Sequence, residues 1–263
     1  MLYLILIPAG IIIGHIGIVA KILPKIVVLH KAAWWLARLW CISVLICWLV
    51  RVRQVGHIIV QGPYDTALSL ALTTMVVAIV WEHWARQKVL LSPLAALVSA
   101  AIMGRARSFG PVDDLVSFDH GWLVVIHASL AYFAFAVLAL NSFFALRIIL
   151  GRGEHSPELV RWFGFSLRLG FFSHSLMVFS GVVTSVASRS AIWNFDPIES
   201  LALCVWLIYG TVLLVHRSGR WSDRSIAGIC FVIFFIVVLS FRLVDYLPPD
   251  KSFHWFPGVT LLR

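Results

Sequence analysis

The sequence predicts an all-α, polytopic transmembrane bundle of about eight helices. Three observations predict it. The chain has 263 residues, 61% of them hydrophobic and only 13% charged, whereas soluble domains carry about 25% charged residues. The apolar residues come in runs that reach the roughly 20 residues a helix needs to cross a bilayer. Most Lys and Arg residues sit at or near the ends of those runs, where they orient a chain and touch lipid headgroups. The net charge of +9 would suggest nucleic acid on a soluble protein; placed at membrane boundaries it argues for lipid and for no nucleic-acid partner. The expectation is one integral membrane domain over residues 1–263, with no sizeable soluble domain.

Taken in order, the runs predict helices at 2–20, 34–50, 65–84, 88–104, 120–149, 164–187, 199–216 and 225–245. The third and fourth are separated only by a few residues around Arg86 to Lys88, which demands a tight hairpin. The first run, Leu2 to Ala20, is followed by Lys21 and Lys25 and preceded by no basic residue. A cleaved signal carries its positive charge in front, so an uncleaved helix with its N-terminus outside is expected. On that orientation 13 of the 21 Lys and Arg residues fall on the inner side, as the positive-inside rule requires. Three outer segments follow, Arg51 to Asp65, Arg105 to His120 and 188–199, together with an outer C-terminal tail at 245–263.

The four cysteines, Cys41, Cys47, Cys204 and Cys230, lie in apolar runs without a Cys-x-x-Cys pair. They read as small buried apolar side chains and not as a zinc site, a redox pair or a haem attachment point. Phosphate-binding loops, hydrolase triads and His-Glu-x-x-His are absent, so common nucleotide and hydrolase chemistry has no support.

Ten histidines in so apolar a chain carry the chemical interest, because an ionisable group in a membrane span points to a functional site. His127 falls about two turns into the fifth helix from its outer end. It suits either a ligand reaching a flat cofactor in the outer leaflet or a hydrogen bond to a neighbouring helix. His254 lies in the tail within Lys251-Ser-Phe-His254-Trp-Phe and suits either a second ligand or an interfacial aromatic anchor. His216 and His83 end two helices on the inner side, next to Arg217 and Glu82. Snorkelling to the headgroups and contact with an entering cofactor both fit them. His174, between Ser173 and Ser175, is expected to bond a neighbouring helix, and His57 to be solvated. His15, His30, His120 and His155 carry no usable signal.

The segment 188–199 reads Ser-Arg189-Ser-Ala-Ile-Trp193-Asn-Phe195-Asp196-Pro197-Ile-Glu199. Asp196, Pro197 and Glu199 fit N-cap, N1 and N3 of the seventh helix, a start resembling a capping box. Trp193 and Phe195 suit an interfacial belt or a shelf on which a porphyrin face stacks.

In this order these residues resemble the haem-handling family of cytochrome c assembly proteins, especially its CcsA/ResC branch in the System II pathway. That family's tryptophan-rich (WWD) loop has the pattern W-G-x-x-W-x-W-D-P-x-E. Here Trp193, Phe195, Asp196, Pro197 and Glu199 fall in register, while the opening Trp-Gly is Arg189-Ser190 and the third Trp is Phe195. Ser180-Gly181, Trp206-Leu207-Ile208-Tyr209 and Gly56-His57 with Tyr64 also fit. The resemblance is dense from about 166 to 216.

The resemblance implies haem transport and delivery for covalent attachment to apocytochrome c at the outer face of a bacterial inner membrane or a thylakoid membrane. It implies haem b bound as a substrate in transit, with His127 and His254 as iron ligands, Trp193, Phe195 and Asp196 around the ring, and His216 near the point of entry. An outer cation such as Arg189 or Lys251 would pair with the haem propionates. A CcsB/ResB-like membrane subunit and apocytochrome c are the implied partners, the chain being the haem-binding component of a synthase complex. A non-catalytic HemX/YpjD-like assembly or regulatory protein without stable haem is the alternative. A small-molecule transporter would call for two interrupted helices in matching halves, and none is evident.

Overall fold

The computed structural model describes residues 2–23, 25–58, 60, 62–85, 91–106, 121–151 and 156–243. Among them the secondary structure is helical, in eight elements. These are α1 (Leu2–Ile22), α2 (Val27–Val55), α3 (Pro63–Trp84), α4 (Leu91–Ala106), α5 (Gly121–Leu150), α6 (Pro157–Arg189), α7 (Pro197–Ser218) and α8 (Asp223–Leu243). The all-α expectation is met. α1–α3 and α5–α7 are each long and apolar enough to cross a bilayer, and α4 is a shorter apolar helix. The chain is an integral membrane protein.

Several boundaries differ from those expected, for local reasons. α2 runs on at both ends of the expected 34–50. The charges that were read as ending it are accommodated within the helix: Arg51 is buried against Asp65 of α3, with contacts of 3.0 and 3.2 Å. Gly56 then ends the helix in the left-handed conformation, φ 76°, with its N–H on the Val52 carbonyl. α6 begins at Pro157 and not at 164, because Ser156 is a true N-cap whose side chain accepts from the Leu159 N–H. The Arg86 to Lys88 hairpin, the Arg105 to His120 loop and the 245–263 tail lie outside the described residues.

Helices α1–α4 form one compact unit and α5–α8 another. In the first, α1 packs on α2 and α4, and α3 packs on α2 and α4. Gly10, Gly14 and Gly17 line the α1 face toward α4, where added Cβ atoms would run into Ala100, Leu97 and Pro93. Such small residues let membrane helices approach backbone to backbone. The Trp40 indole N–H donates to the Leu6 carbonyl at 2.8 Å, tying α2 to α1.

A polar knot joins three helices of this unit. Glu82 of α3 accepts from the Ser92 N–H at 2.6 Å, from the Ser92 hydroxyl at 2.9 Å and from the Arg38 guanidinium at 3.2 Å. Arg38 lies over the Trp34 ring, 3.2 Å from its centroid. The carboxylate therefore satisfies an orphan N–H in the first turn of α4 and balances the charge of α2 at once.

In the second unit α6 packs on α5 and α7, and α8 packs on α5 and α7, so the four helices close a cycle. Its core is apolar, with Phe144, Phe163, Leu167, Tyr209 and Cys230 buried. Asn141 bridges α5 to α6 by donating to the Phe163 carbonyl at 3.3 Å and the Ser166 hydroxyl at 3.0 Å. Arg224 of α8 donates to the Ile149 and Gly151 carbonyls at 2.8 and 2.9 Å, satisfying acceptors that the end of α5 leaves open. Cys41 and Cys230 are buried as expected, whereas Cys204 is exposed. It sits on α7, whose apolar span is mostly not buried within the protein, so that a thiol expected to be internal faces outward.

Candidate functional site

The geometry of the site is set by α6, which spans 33 residues, about 50 Å at 1.5 Å per residue. One end of α6 meets the α6–α7 segment, and the other lies beside the last turn of α7. A glycine near each end seats a histidine from a neighbouring helix.

At the α6–α7 end, Gly181 faces His127 of α5. A Cβ added to Gly181 would lie 3.0 Å from His127 Cε1 and 3.4 Å from Nδ1, so the imidazole occupies space that only glycine leaves. His127 Nδ1 is 3.2 Å from both the Met177 carbonyl oxygen and Ser180 Oγ. A carbonyl only accepts, so Nδ1 carries the proton and Nε2 becomes the basic nitrogen. Metal-binding imidazoles are oriented in the same way, with one ring nitrogen fixed by a backbone carbonyl. His127 therefore makes the helix–helix hydrogen bond foreseen as its structural role, through the nitrogen that ligation through Nε2 does not use.

The α6–α7 segment proper is shorter than the expected 188–199. α6 ends at Arg189, Ser190 caps it in the left-handed conformation with φ 54°, and α7 begins at Pro197. Asp196 is the N-cap of α7, buried, with its carboxylate accepting from the Ile198 N–H at 2.7 Å. Glu199 reaches back to the Asn194 N–H at 3.1 Å. The capping residues are those the sequence named, but Glu199 serves the residue two before the N-cap. Asn194 also donates through its side chain to Ser185 Oγ, pinning the segment to α6. Ser185 is one turn, about 6 Å, beyond Gly181. The segment and His127 thus share one end of the unit.

Between these pins the aromatic residues are displayed. Trp193 is half-buried, whereas Phe195 is 83% exposed and has φ 56°. A left-handed backbone costs a non-glycine residue about 1–2 kcal/mol. Neighbouring bonds hold Phe195 there with its ring outward, and such strain is a pointer to function.

At the opposite end, His216 of α7 lies against Gly164 of α6. Nε2 is 3.0 Å from where a Cβ of that glycine would sit. Nδ1 is 3.7 Å from the Asp223 carboxylate of α8, and the ring meets Phe163 edge-on at 6.0 Å between centroids. Gly164 and Gly181 are 17 residues apart, so the two seats are about 25 Å apart along α6, close to the thickness of a bilayer's hydrocarbon core.

The remaining histidines fall into place around this pair. His174 is buried and bonds the Ala202 carbonyl of α7 through Nε2 at 3.0 Å, as expected. Beside it Ser175 accepts from the Trp206 indole at 2.8 Å, and Trp206 stacks on Phe171. His83 is exposed, and His57 is half-buried with Nδ1 3.1 Å from the Ile58 carbonyl oxygen. His15 and His30 bond carbonyls of their own helices. His120, His155, Lys251 and His254 lie outside the described residues, as does the side chain of Arg189. Among the described residues no cluster of three His, Cys, Asp or Glu side chains forms a metal site of its own. Sequence reasoning missed Asn194, Ser185, Asp223 and Gly164, and named Gly181 within the family resemblance without its role as a seat for His127. A glycine inside a helical run does signal close approach, so Gly164 and Gly181 were findable.

The family model described as "Cytochrome C assembly protein" matches residues 37–248. A protein named cytochrome c biogenesis protein CcsA from Synechococcus sp. is 24% identical over 259 residues, covering 79% of this chain and 82% of its own length. Proteins of the same name from Glycine max and Marchantia polymorpha are 25% and 32% identical, covering 54% and 37% of this chain and 43% and 30% of their own lengths.

Proposed function

Since the chain belongs to the cytochrome c assembly protein family, we propose that it carries haem across the membrane and presents it for covalent attachment to apocytochrome c. The observation that carries this reading is the seating of His127: its Nδ1 is committed to the Met177 carbonyl at 3.2 Å, and its ring packs on Gly181, one turn from the Ser185 that pins the segment displaying Phe195. A flat, apolar, iron-bearing cargo matches an imidazole whose basic nitrogen is Nε2 beside an outward aromatic ring. Haem b is the form in transit, held as substrate and released.

The α6–α7 segment faces the outer side, periplasmic or lumenal, of a bacterial inner membrane or a thylakoid membrane. The excess of Lys and Arg at the other end supports that orientation. Haem enters near His216 and leaves near His127. There His127 and His254 ligate iron, while Trp193 and Phe195 cover the ring. Asp196 keeps the first turn of α7 in place beneath them. An apocytochrome Cys-x-x-Cys-His segment then meets the bound haem. Each thiol adds across one vinyl group, sulfur to one carbon and hydrogen to the other, and the incoming histidine takes over one iron position. The chain contributes position and ligation, and the bond-forming chemistry is that of haem and thiol. A CcsB/ResB-like membrane subunit completes the complex.

The reading is tested in a strain deleted for the chain. Covalent haem on c-type cytochromes is expected to disappear and to return when the chain is restored. Normal c-type cytochromes in the deletion strain would instead support a HemX/YpjD-like role. Phe195 gives a second, local test. Phe195→Gly relieves the left-handed backbone and is expected to stabilise the protein by about 0.5–1 kcal/mol, while weakening haem retention. Loss of stability on denaturant unfolding would mean that the ring packs the segment and does not await a ligand.

A further inference from the structure

Between α7 and α8 lies an apolar groove of about 270 Å³. Leu207, Thr211 and Val215 of α7, Ile226 and Ile229 of α8, and Trp221 of the turn between them line it. Thr211 brings the one hydroxyl among these side chains, and it donates to the Leu207 carbonyl at 2.9 Å. The helix walls therefore offer no unsatisfied side-chain donor and suit hydrocarbon. From Val215 to Leu207 the groove runs eight residues along α7, about 12 Å. That is less than half the roughly 30 Å of a hydrocarbon core, so the groove stays within the leaflet beside the α7–α8 turn. A membrane helix of a partner would cross both leaflets. The groove is also smaller than the roughly 300–1,000 Å³ that compact ligands occupy; a single extended chain is the matching shape.

At the turn end the groove meets unbalanced positive charge. α7 closes at Gly219, left-handed with φ 65°, whose N–H reaches the His216 carbonyl. Arg217 precedes this reversal and Arg220 follows it, next to Trp221 in the chain, and both are exposed. Among the described residues neither has a carboxylate within ion-pair distance. The other charges of the turn are differently placed: Arg224 donates to the Ile149 and Gly151 carbonyls, and the Asp223 carboxylate lies 3.7 Å from His216. Trp221 is 52% exposed, as an indole at headgroup level is.

We propose that this groove and its two arginines form a binding site for one anionic phospholipid, an acyl chain lying between α7 and α8 and the phosphodiester pairing with Arg217 and Arg220. Guanidinium matches phosphate oxygens in a bidentate way, and basic residues beside a cleft between membrane helices are how anionic lipid heads are recognised. No histidine lines the groove, so the site is separate from the proposed iron ligands. A lipid seated there bridges two helices and stabilises the folded unit by mass action.

The full chain is purified in detergent, stripped of lipid and mixed with equal amounts of phosphatidylglycerol and phosphatidylcholine of the same chain length. Retained lipid is read by native mass spectrometry. Phosphatidylglycerol is expected to be retained about tenfold over phosphatidylcholine. Arg217→Gln with Arg220→Gln is expected to bring the two lipids to parity, and Arg217→Lys with Arg220→Lys to recover part of the preference. Thr211→Trp, at an exposed position that can take a larger ring, is expected to fill the groove and to lower phosphatidylglycerol retention about tenfold. Thermal unfolding gives a second reading: phosphatidylglycerol is expected to raise the midpoint of the wild-type chain, and glycerol 3-phosphate, a head without a chain, to leave it unchanged. Equal retention of both lipids by the wild-type protein, or an unchanged preference in the glutamine variant, overturns the headgroup assignment and the proposal with it. Full retention in Thr211→Trp, or a shift from glycerol 3-phosphate equal to that from the lipid, overturns the place of the chain in the groove. If Thr211→Trp instead strips a copurifying membrane subunit while the two lipids bind alike, the groove is a subunit interface and the lipid proposal fails.

Discussion

Glu82→Ala is expected to lower the unfolding free energy by about 3–5 kcal/mol, the range for removing one partner of a buried ion pair. The carboxylate is nearly inaccessible and holds α2, α3 and α4 together through Arg38 and both polar groups of Ser92. Alanine leaves a guanidinium beside Trp34 with its charge unbalanced. It also leaves a backbone N–H in the first turn of α4 without its acceptor, and each buried group stranded in this way adds about 1–3 kcal/mol. The loss is large against the 5–15 kcal/mol by which domains are stable. Glu82→Gln keeps the shape and the acceptor oxygen for Ser92 but not the charge, so it is expected to fall between wild type and alanine. The midpoint of denaturant unfolding in detergent reads both. A Glu82→Ala protein as stable as wild type would show that water or lipid headgroups replace the carboxylate.

The second large effect is expected at His127. Alanine removes the imidazole proposed to ligate iron from a place where nothing on α6 substitutes for it: Gly181 has no side chain, and Met177 and Ser180 meet the ring through a carbonyl and a hydroxyl. Haem recovered with the purified protein is expected to fall at least about tenfold, which corresponds to roughly 1.4 kcal/mol or more of binding free energy. Stability is expected to change less, because His127 is half-buried and its hydrogen bond has a net worth of about 1 kcal/mol.

The helices were legible because hydropathy marks membrane spans directly, and the start of α7 because Asp196-Pro197 is a local capping signal. The equivalent signal at Ser156-Pro157 was present too, but the apolar run began later and drew the boundary inward. Arg51 illustrates a deeper limit. A charge reads as a helix end until its partner is known, and Asp65 is 14 residues away. The histidines were visible as residue types, and the family resemblance selected His127, His254 and His216 from ten. What sequence did not reveal is what stands behind each ring. The Met177 carbonyl belongs to the backbone and has no letter of its own, and Asp223 meets His216 only once α7 and α8 are folded side by side. Asn194 looked like a spacer between two aromatics, yet its two hydrogen bonds fix the segment that carries them.

The most direct test replaces the ring of His127 and then returns it. His127→Gly, purified from haem-replete cells, is expected to lack most of the Soret absorbance of the wild-type protein and to regain it when free imidazole fills the space over Gly181. A Soret band of unchanged position and intensity in His127→Gly, or in the His127→Ala, His254→Ala double variant, would contradict the assignment of this imidazole as a haem ligand.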